Sequence, residues 1–288
     1  MNVIDAARTW GRMVKLSHSA FALPFALSGA TLATTVSGIR PAQVAWIVLA
    51  MIGARNAAMG FNRLADHALD ARNPRTADRE LPRARLSRGA VWGFTAALSA
   101  LFVVAAFQLG PLCGSLAPVA LAIVFGYSYT KRFTWASHAV LGLALAIAPV
   151  GGWLAVAGSF AWPPVVLGIA VLLWVAGFDV IYACQDAGFD RREGLLSVPA
   201  RFGVPTALRV ARVLHAAALV ALAVVGWLGP LHPVYWIGWA VIAGVLAWEH
   251  RLVRADDLSH VGVAFLPLNG IVAVLYFGAV LAAVLAAR

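Results

Sequence analysis

Nine stretches of about twenty mainly apolar residues, parted by short polar joints, restrict this chain to one kind of architecture. In lipid every backbone amide and carbonyl must be paired inside its own structure, which leaves helices or closed barrels. Twenty apolar residues are the length of a helix that crosses the hydrocarbon core. The stretches run over 16–36, 42–65, 88–108, 112–130, 137–157, 164–185, 205–227, 234–250 and 262–285. Turn residues mark their joints, at Gly110-Pro111, Pro163-Pro164 and Gly229-Pro230. Only 12% of the residues are charged and 62% are hydrophobic, where a soluble domain carries about a quarter charged. The expectation is an all-α polytopic membrane protein, one domain over 1–288 with nine transmembrane helices in a bundle.

Basic residues give the orientation. The gaps after spans 1, 3, 5 and 7 hold Arg40 alone, whereas those after spans 2, 4, 6 and 8 hold twelve, among them Arg72, Arg75, Lys131, Arg132, Arg191 and Arg251. The positive-inside rule puts the N-terminus and the even gaps on the cytoplasmic side of a cell (inner) membrane. Net charge +10 is then a cytoplasmic face beside anionic lipid and calls for no nucleic acid. Residues 1–14 read as a short amphipathic interfacial segment, on the spacing of Val3, Ala7, Trp10 and Val14. The long apolar run that follows reads as a retained first helix rather than a cleaved signal. Cys113 and Cys184 lie in apolar runs as packing residues, and the seven His show no zinc-site spacing.

Two acid stripes carry the chemistry. Asn62, Asp66 and Asp70 fall at i, i+4 and i+8, and Asp179, Tyr182, Asp186 and Asp190 at i, i+3, i+7 and i+11, each along one helical face. Positions 62, 66 and 70 recur as 182, 186 and 190, each 120 residues on, so the chain has two pseudo-repeated halves. Like charges one turn apart repel, and burial near lipid raises the cost. A cation between the stripes removes the conflict. Both stripes end on the basic, cytoplasmic side, beside Arg75, Lys131 and Arg132. Carboxylates hold Mg²⁺ with one or two oxygens each and leave room for phosphate oxygens, which bases then bind. That pattern points to a Mg²⁺–diphosphate site, and its setting to a diphosphate with an apolar tail. Cytoplasmic loops at about 67–87 and 186–204 cap the site. Arg55, two turns deeper than Asn62, is a charge inside a membrane helix, with Asn62, the acids or a substrate carboxylate as its partner. His18, at the start of span 1, reads as an interfacial or substrate-side residue.

At these residues the chain resembles the UbiA superfamily of intramembrane aromatic prenyltransferases. Its signatures, N-x-x-x-D-x-x-x-D and D-x-x-Y-x-x-x-D-x-x-x-D, both stand here with spacing intact, and the resemblance covers nearly the whole chain. Matches at 15–24, at the Asn73-Pro74-Arg75-Thr76 turn and at 197–203 point to the 4-hydroxybenzoate branch and its menaquinone-pathway relatives. Arg63, where many members have an acid, and Glu80, where proline is common, depart from the pattern. The resemblance implies two Mg²⁺ ions held by Asn62, Asp66, Asp70, Asp186 and Asp190, with Asp179 in support. Asp66, Asp70, Asp186, Asp190 and Arg132 would be the catalytic set. Lys131, Arg132, Tyr182 and Arg75 would bind the diphosphate, and Arg55 with His18 the aromatic acid. The implied partners are a polyprenyl diphosphate, an aromatic acid acceptor and the bilayer, with no obligate protein partner. The implied reaction passes through an allylic cation that is attacked by a ring carbon ortho to a hydroxyl. Homogentisate, haem and glycerol-phosphate lipid prenyltransferases share both motifs, and a cation-coupled transporter is the alternative from another class.

Overall fold

The computed structural model describes residues 3–14, 21–229 and 231–288. Every regular element among them is helical: α1 (Val3–Val14), α2 (Ala22–Ala33), α3 (Pro41–Ala65), α4 (His67–Arg72), α5 (Arg88–Leu109), α6 (Pro111–Thr130), α7 (Ser137–Ala157), α8 (Trp162–Ala183), α9 (Ala187–Arg192), α10 (Val198–Phe202), α11 (Val204–Leu228), α12 (Val234–Leu252) and α13 (Val261–Ala286). Seven of them are long and apolar enough to cross a membrane. They are α3, α5, α6, α7, α8 continued through α9, α11 and α13.

Two of the nine expected spans fall short of that standard. The stretch expected at 16–36 is helical over only twelve described residues, as α2. Thr34 and Thr35 fold their hydroxyls back onto the carbonyls of Thr31 and Leu32, at 2.7 and 2.8 Å, and close the helix in tight turns. The stretch at 234–250 forms α12, nineteen residues long, whose last turn carries Glu249, His250 and Arg251. The final span keeps its length but is loosened into one π-helical turn at Ala264–Leu268, around Pro267.

Helix boundaries follow local chemistry. Proline opens α3 and α6, where a missing N–H costs nothing. Ser87 caps α5 by accepting the Ala90 N–H at 3.1 Å. Ser87→Ala is expected to cost about 1 kcal/mol, measurable as a lower unfolding midpoint in detergent. Gly158 ends α7 in the left-handed region, at φ +70°.

The bundle is held by close approach, since lipid offers no hydrophobic drive between helices. α7 lies against α2 and α8, α8 against α11, and α3 against α5. At the α2–α7 crossing a Cβ on Gly29 would stand 2.0 Å from the Pro149 carbonyl oxygen, and one on Gly152 2.0 Å from that of Ala26. An aromatic core of Phe21, Phe25, Trp174, Phe178 and Tyr276 is buried beside them, while Trp162, Trp227 and Ile237 face outward.

α1 docks through its C-terminal end. Met13 and Val14 are buried with Leu64, Leu81, Leu86 and Val91. The carbonyls that end a helix need donors. Arg55 donates to Val14 O at 3.0 Å and Arg63 to Met13 O at 3.4 Å, while Arg12 of α1 pairs with Glu80 at 3.5 Å. Arg63 and Glu80, the two departures from the family pattern, thus both serve the seat of α1.

Candidate functional site

The two stripes do not ride on continuous helices. α3 stops at Ala65, and Asp66 takes φ −98°, ψ 8° before α4 begins. α8 stops at Ala183, a single 3₁₀ turn follows, and Asp186 takes φ −98°, ψ 0° before α9. α4 and α9 span 67–72 and 187–192, so the break itself repeats at 120 residues. Each middle Asp sits at a bend at the end of its long helix.

The bends open onto one cavity of about 160 Å³. Asn62, Asp66 and Asp70 line it from the first half, and Asp179, Tyr182, Asp186 and Asp190 from the second. Arg75, Arg79, Lys131 and Arg132 complete the lining. Each acid is paired. Arg75 crosses from the first half to chelate Asp186, with Nε 2.9 Å from Oδ1 and Nη2 on Oδ2, and its Nη1 donates to the Tyr182 hydroxyl at 2.8 Å. Asn73 adds a bond to Asp186 at 3.2 Å. Arg79 holds both oxygens of Asp70, at 2.6 and 2.8 Å. Arg132 caps the end of α3 through Ala65 O at 2.6 Å and reaches Asp66 at 3.4 Å, a cation at a helix C-terminus. Lys131 stands 4.0 Å from Asp190, which also accepts the Ser197 hydroxyl at 2.8 Å. Asp179 is 2.6 Å from Nδ1 of buried His138.

Charge is the unsolved quantity here. Burial pushes the Asp66 carboxyl above its usual range, and Asp70 pushes it further, against Arg132 and Lys131. Burial, the largest single influence on Arg75, opposes its charge, but the hydrogen bonds to Asp186 together with the charges of Tyr182, Asp186 and Asp70 raise it above the ordinary arginine value. Among the described residues no three Asp, Glu, His or Cys side chains converge closely enough to hold a metal ion. The donor set nevertheless fits one: oxygen ligands from both halves face a shared cavity, and the arginines and lysine that neutralise them are phosphate-binding groups.

Of the residues expected from sequence, Asn62, Asp66, Asp70, Arg75, Lys131, Arg132, Asp179, Tyr182, Asp186 and Asp190 all border this cavity. Arg55 does not; it lies at the foot of α1. His18 lies outside the described residues. Arg79, Asn73, Ser197 and His138 are not among the site residues expected from sequence. Arg79 reads as one of several loop bases, and His138 as a lone histidine in an apolar span.

The profile of the UbiA prenyltransferase family matches residues 22–272. A 4-hydroxybenzoate octaprenyltransferase of Nitrosospira multiformis is 31% identical over 234 residues, covering 81% of this chain and 80% of the relative. The apo structure of a UbiA homolog from Aeropyrum pernix K1 superposes with a TM-score of 0.84 at 32% identity, over 92% of this chain and 97% of that one. A UbiA homolog from Archaeoglobus fulgidus bound to GPP and Mg²⁺ has the same fold, with a TM-score of 0.74 at 19% identity over 96% and 99% of the two chains.

Proposed function

The chain belongs to the UbiA prenyltransferase family and is a prenyltransferase, and we propose that it moves a polyprenyl group from its diphosphate to a ring carbon of an aromatic acid. That acid is 4-hydroxybenzoate or a related hydroxynaphthoate, on the route to ubiquinone or menaquinone. The observation that carries this reading is the shared cavity, with acids from both halves interleaved with phosphate-binding bases. The octaprenyltransferase relatives support the acceptor, and the Archaeoglobus homologue, a protein of the same fold bound to GPP and Mg²⁺, supports the donor and the metal.

Asn62, Asp66, Asp70, Asp186 and Asp190, with Asp179 behind them, would hold two Mg²⁺ ions. Bound Mg²⁺ would supply the positive charge that stabilises departing diphosphate. The protein's own groups do the rest. Arg75, Lys131 and Arg132, with Arg79 beside Asp70, are freed from their carboxylates to bind phosphate oxygens. The Tyr182 hydroxyl donates to the leaving group. The apolar interior keeps water from the allylic cation and takes up the tail. All nine apolar stretches would cross an inner membrane, with the N-terminus and the cavity on the cytoplasmic side, where the basic residues cluster. The helix break at each middle Asp sits at the end of a span rather than mid-membrane, which disfavours a transporter.

Arg55 is proposed to grip the acceptor carboxylate, releasing Val14 O as it does so. The test is an acceptor screen with purified protein, comparing 4-hydroxybenzoate, dihydroxynaphthoates, homogentisate and glycerol phosphate by product mass. Prenylated aromatic acids are expected. If Arg55 grips the carboxylate, decarboxylated phenols lose affinity in wild type and little more in Arg55→Ala. Exclusive prenylation of glycerol phosphate would overturn the aromatic assignment.

A further inference from the structure

We propose that His138 and Asp179 form a latch that positions the second acid stripe, and that Asp179 acts through this latch rather than as a metal ligand. The inference rests on the metal–diphosphate reading of the cavity and narrows its ligand set.

Asp179 stands apart from the repeat. Tyr182, Asp186 and Asp190 have counterparts 120 residues earlier, but the position matching Asp179 is Met59. Asp179 borders the cavity, yet it lies two helical turns before Asp186, about 10 Å along the axis at 1.5 Å per residue. One of its oxygens is already engaged by His138 Nδ1 at 2.6 Å.

The other face of that imidazole fixes its tautomer. Val198 donates its backbone N–H to His138 Nε2 at 3.3 Å. Nε2 is therefore the acceptor, so Nδ1 carries the proton and donates it to Asp179. Val198 opens α10, where helix N–H groups need partners. Next to it, Ser197 donates to Asp190 at 2.8 Å and accepts the Ala200 N–H at 3.3 Å. The two outer acids of the stripe are thus tied to adjacent residues of one segment. Asp179 sets the ring, the ring sets Val198, and Ser197 then orients Asp190 toward the cavity. The segment reaches this place through Gly194, at φ +70°, and is held to Lys131 O by Leu196 N–H at 2.7 Å. His138 and Ser197 are fully enclosed, with 2% and 0% exposure, so neither bond is shared with solvent. The first half does the same work differently, with Arg79 on Asp70.

The test combines proteolysis with Mg²⁺ dependence. Purified wild type, His138→Ala, His138→Asn and Asp179→Asn are treated with trypsin in the absence of Mg²⁺ and substrate. Cleavage at Arg191, Arg192 and Arg201 is expected to quicken about tenfold in His138→Ala and Asp179→Asn, from the loss of one charged hydrogen bond, and less in His138→Asn, with Arg83 and Arg85 unchanged. His138→Asn keeps an N–H toward Asp179 and much of the ring's bulk, so it guards against a variant that fails to fold. In prenyl transfer, turnover is expected to fall about 10- to 100-fold. The Mg²⁺ concentration for half-maximal rate should stay within about twofold of wild type, and the double variant should be no worse than the poorer single, as members of one unit are non-additive. A Mg²⁺ requirement raised in Asp179→Asn as in Asp186→Asn would make Asp179 a ligand and overturn the proposal. An unchanged tryptic pattern in every variant would remove the latch. Should wild type fail to consume a prenyl diphosphate, the reaction itself is wrong, and the tryptic arm alone decides the latch.

Discussion

Asp186→Ala is expected to abolish prenyl transfer while leaving a folded, membrane-inserted protein. Asp186 sits at the bend where α8 ends, faces the cavity, and holds Arg75, an arginine that crosses between the halves. Its loss removes a proposed metal ligand and unpairs Arg75 at once. Losing a single group aimed at developing charge costs about 10²–10³ in rate, and a metal ligand sits at the top of that range. The structural cost is far smaller. Arg75 is about one third exposed and keeps its bond to Tyr182, so water takes over from the carboxylate at a cost of order 1 kcal/mol or less. Asp66→Ala is expected to behave alike, because the repeat gives Asp66 the same bend. The measurement is turnover with saturating Mg²⁺, beside gel filtration and thermal unfolding in detergent. Full Mg²⁺-dependent activity in either variant would sink the metal assignment.

The largest effect on the fold is expected at Gly152. A Cβ there would sit 2.0 Å from a backbone oxygen of α2, and Gly29 makes the reciprocal approach to α7. Backbone cannot rotate away as a side chain can. Gly152→Ala must part the two helices, at the upper end of roughly 1–3 kcal/mol or beyond it, and Gly152→Val should yield no monodisperse protein. Gly151 next door is the control, since a Cβ on it meets nothing within 4 Å. Gly151→Ala should be neutral or stabilising by up to about 1 kcal/mol, the helix-propensity gain of alanine. Unfolding midpoints of wild type, Gly152→Ala and Gly151→Ala in one detergent compare the sites directly.

The apolar stretches are legible because hydrophobicity ends where a proline, glycine or charge begins. α3, α5, α6, α7 and α11 each start and stop within one residue of the expected bounds. The C-terminal end of α2 escapes this reading because Thr34 and Thr35 end it by back-bonding, and threonine does not interrupt a hydropathy pattern. The bends at Asp66 and Asp186 are hidden for a related reason. An i, i+4 spacing looks the same whether or not the helix breaks between its members. Acids and their nearest bases could be found from charge and repeat alone. The cross-links between halves could not: Arg75 to Asp186 and Arg72 to Glu193 join residues more than a hundred positions apart. His138 meets Asp179 across two helices, and no local pattern flags a single imidazole in an apolar span. Arg55 is legible in the sequence as a charge inside an apolar span, but its bond to the carbonyl end of α1 is not, because Val14 lies 41 positions away.

In the proposed mechanism both halves grip one diphosphate through divalent metal. Calorimetric binding of a non-hydrolysable prenyl diphosphate analogue, with Mg²⁺ and with chelator, tests it in wild type, Asp66→Asn and Asp186→Asn. Binding is expected to require Mg²⁺ and to weaken about 100-fold or more in either variant, since each removes one charged ligand of a shared site. Tight binding that persists in chelator, or that depends on one stripe and ignores the other, would contradict it.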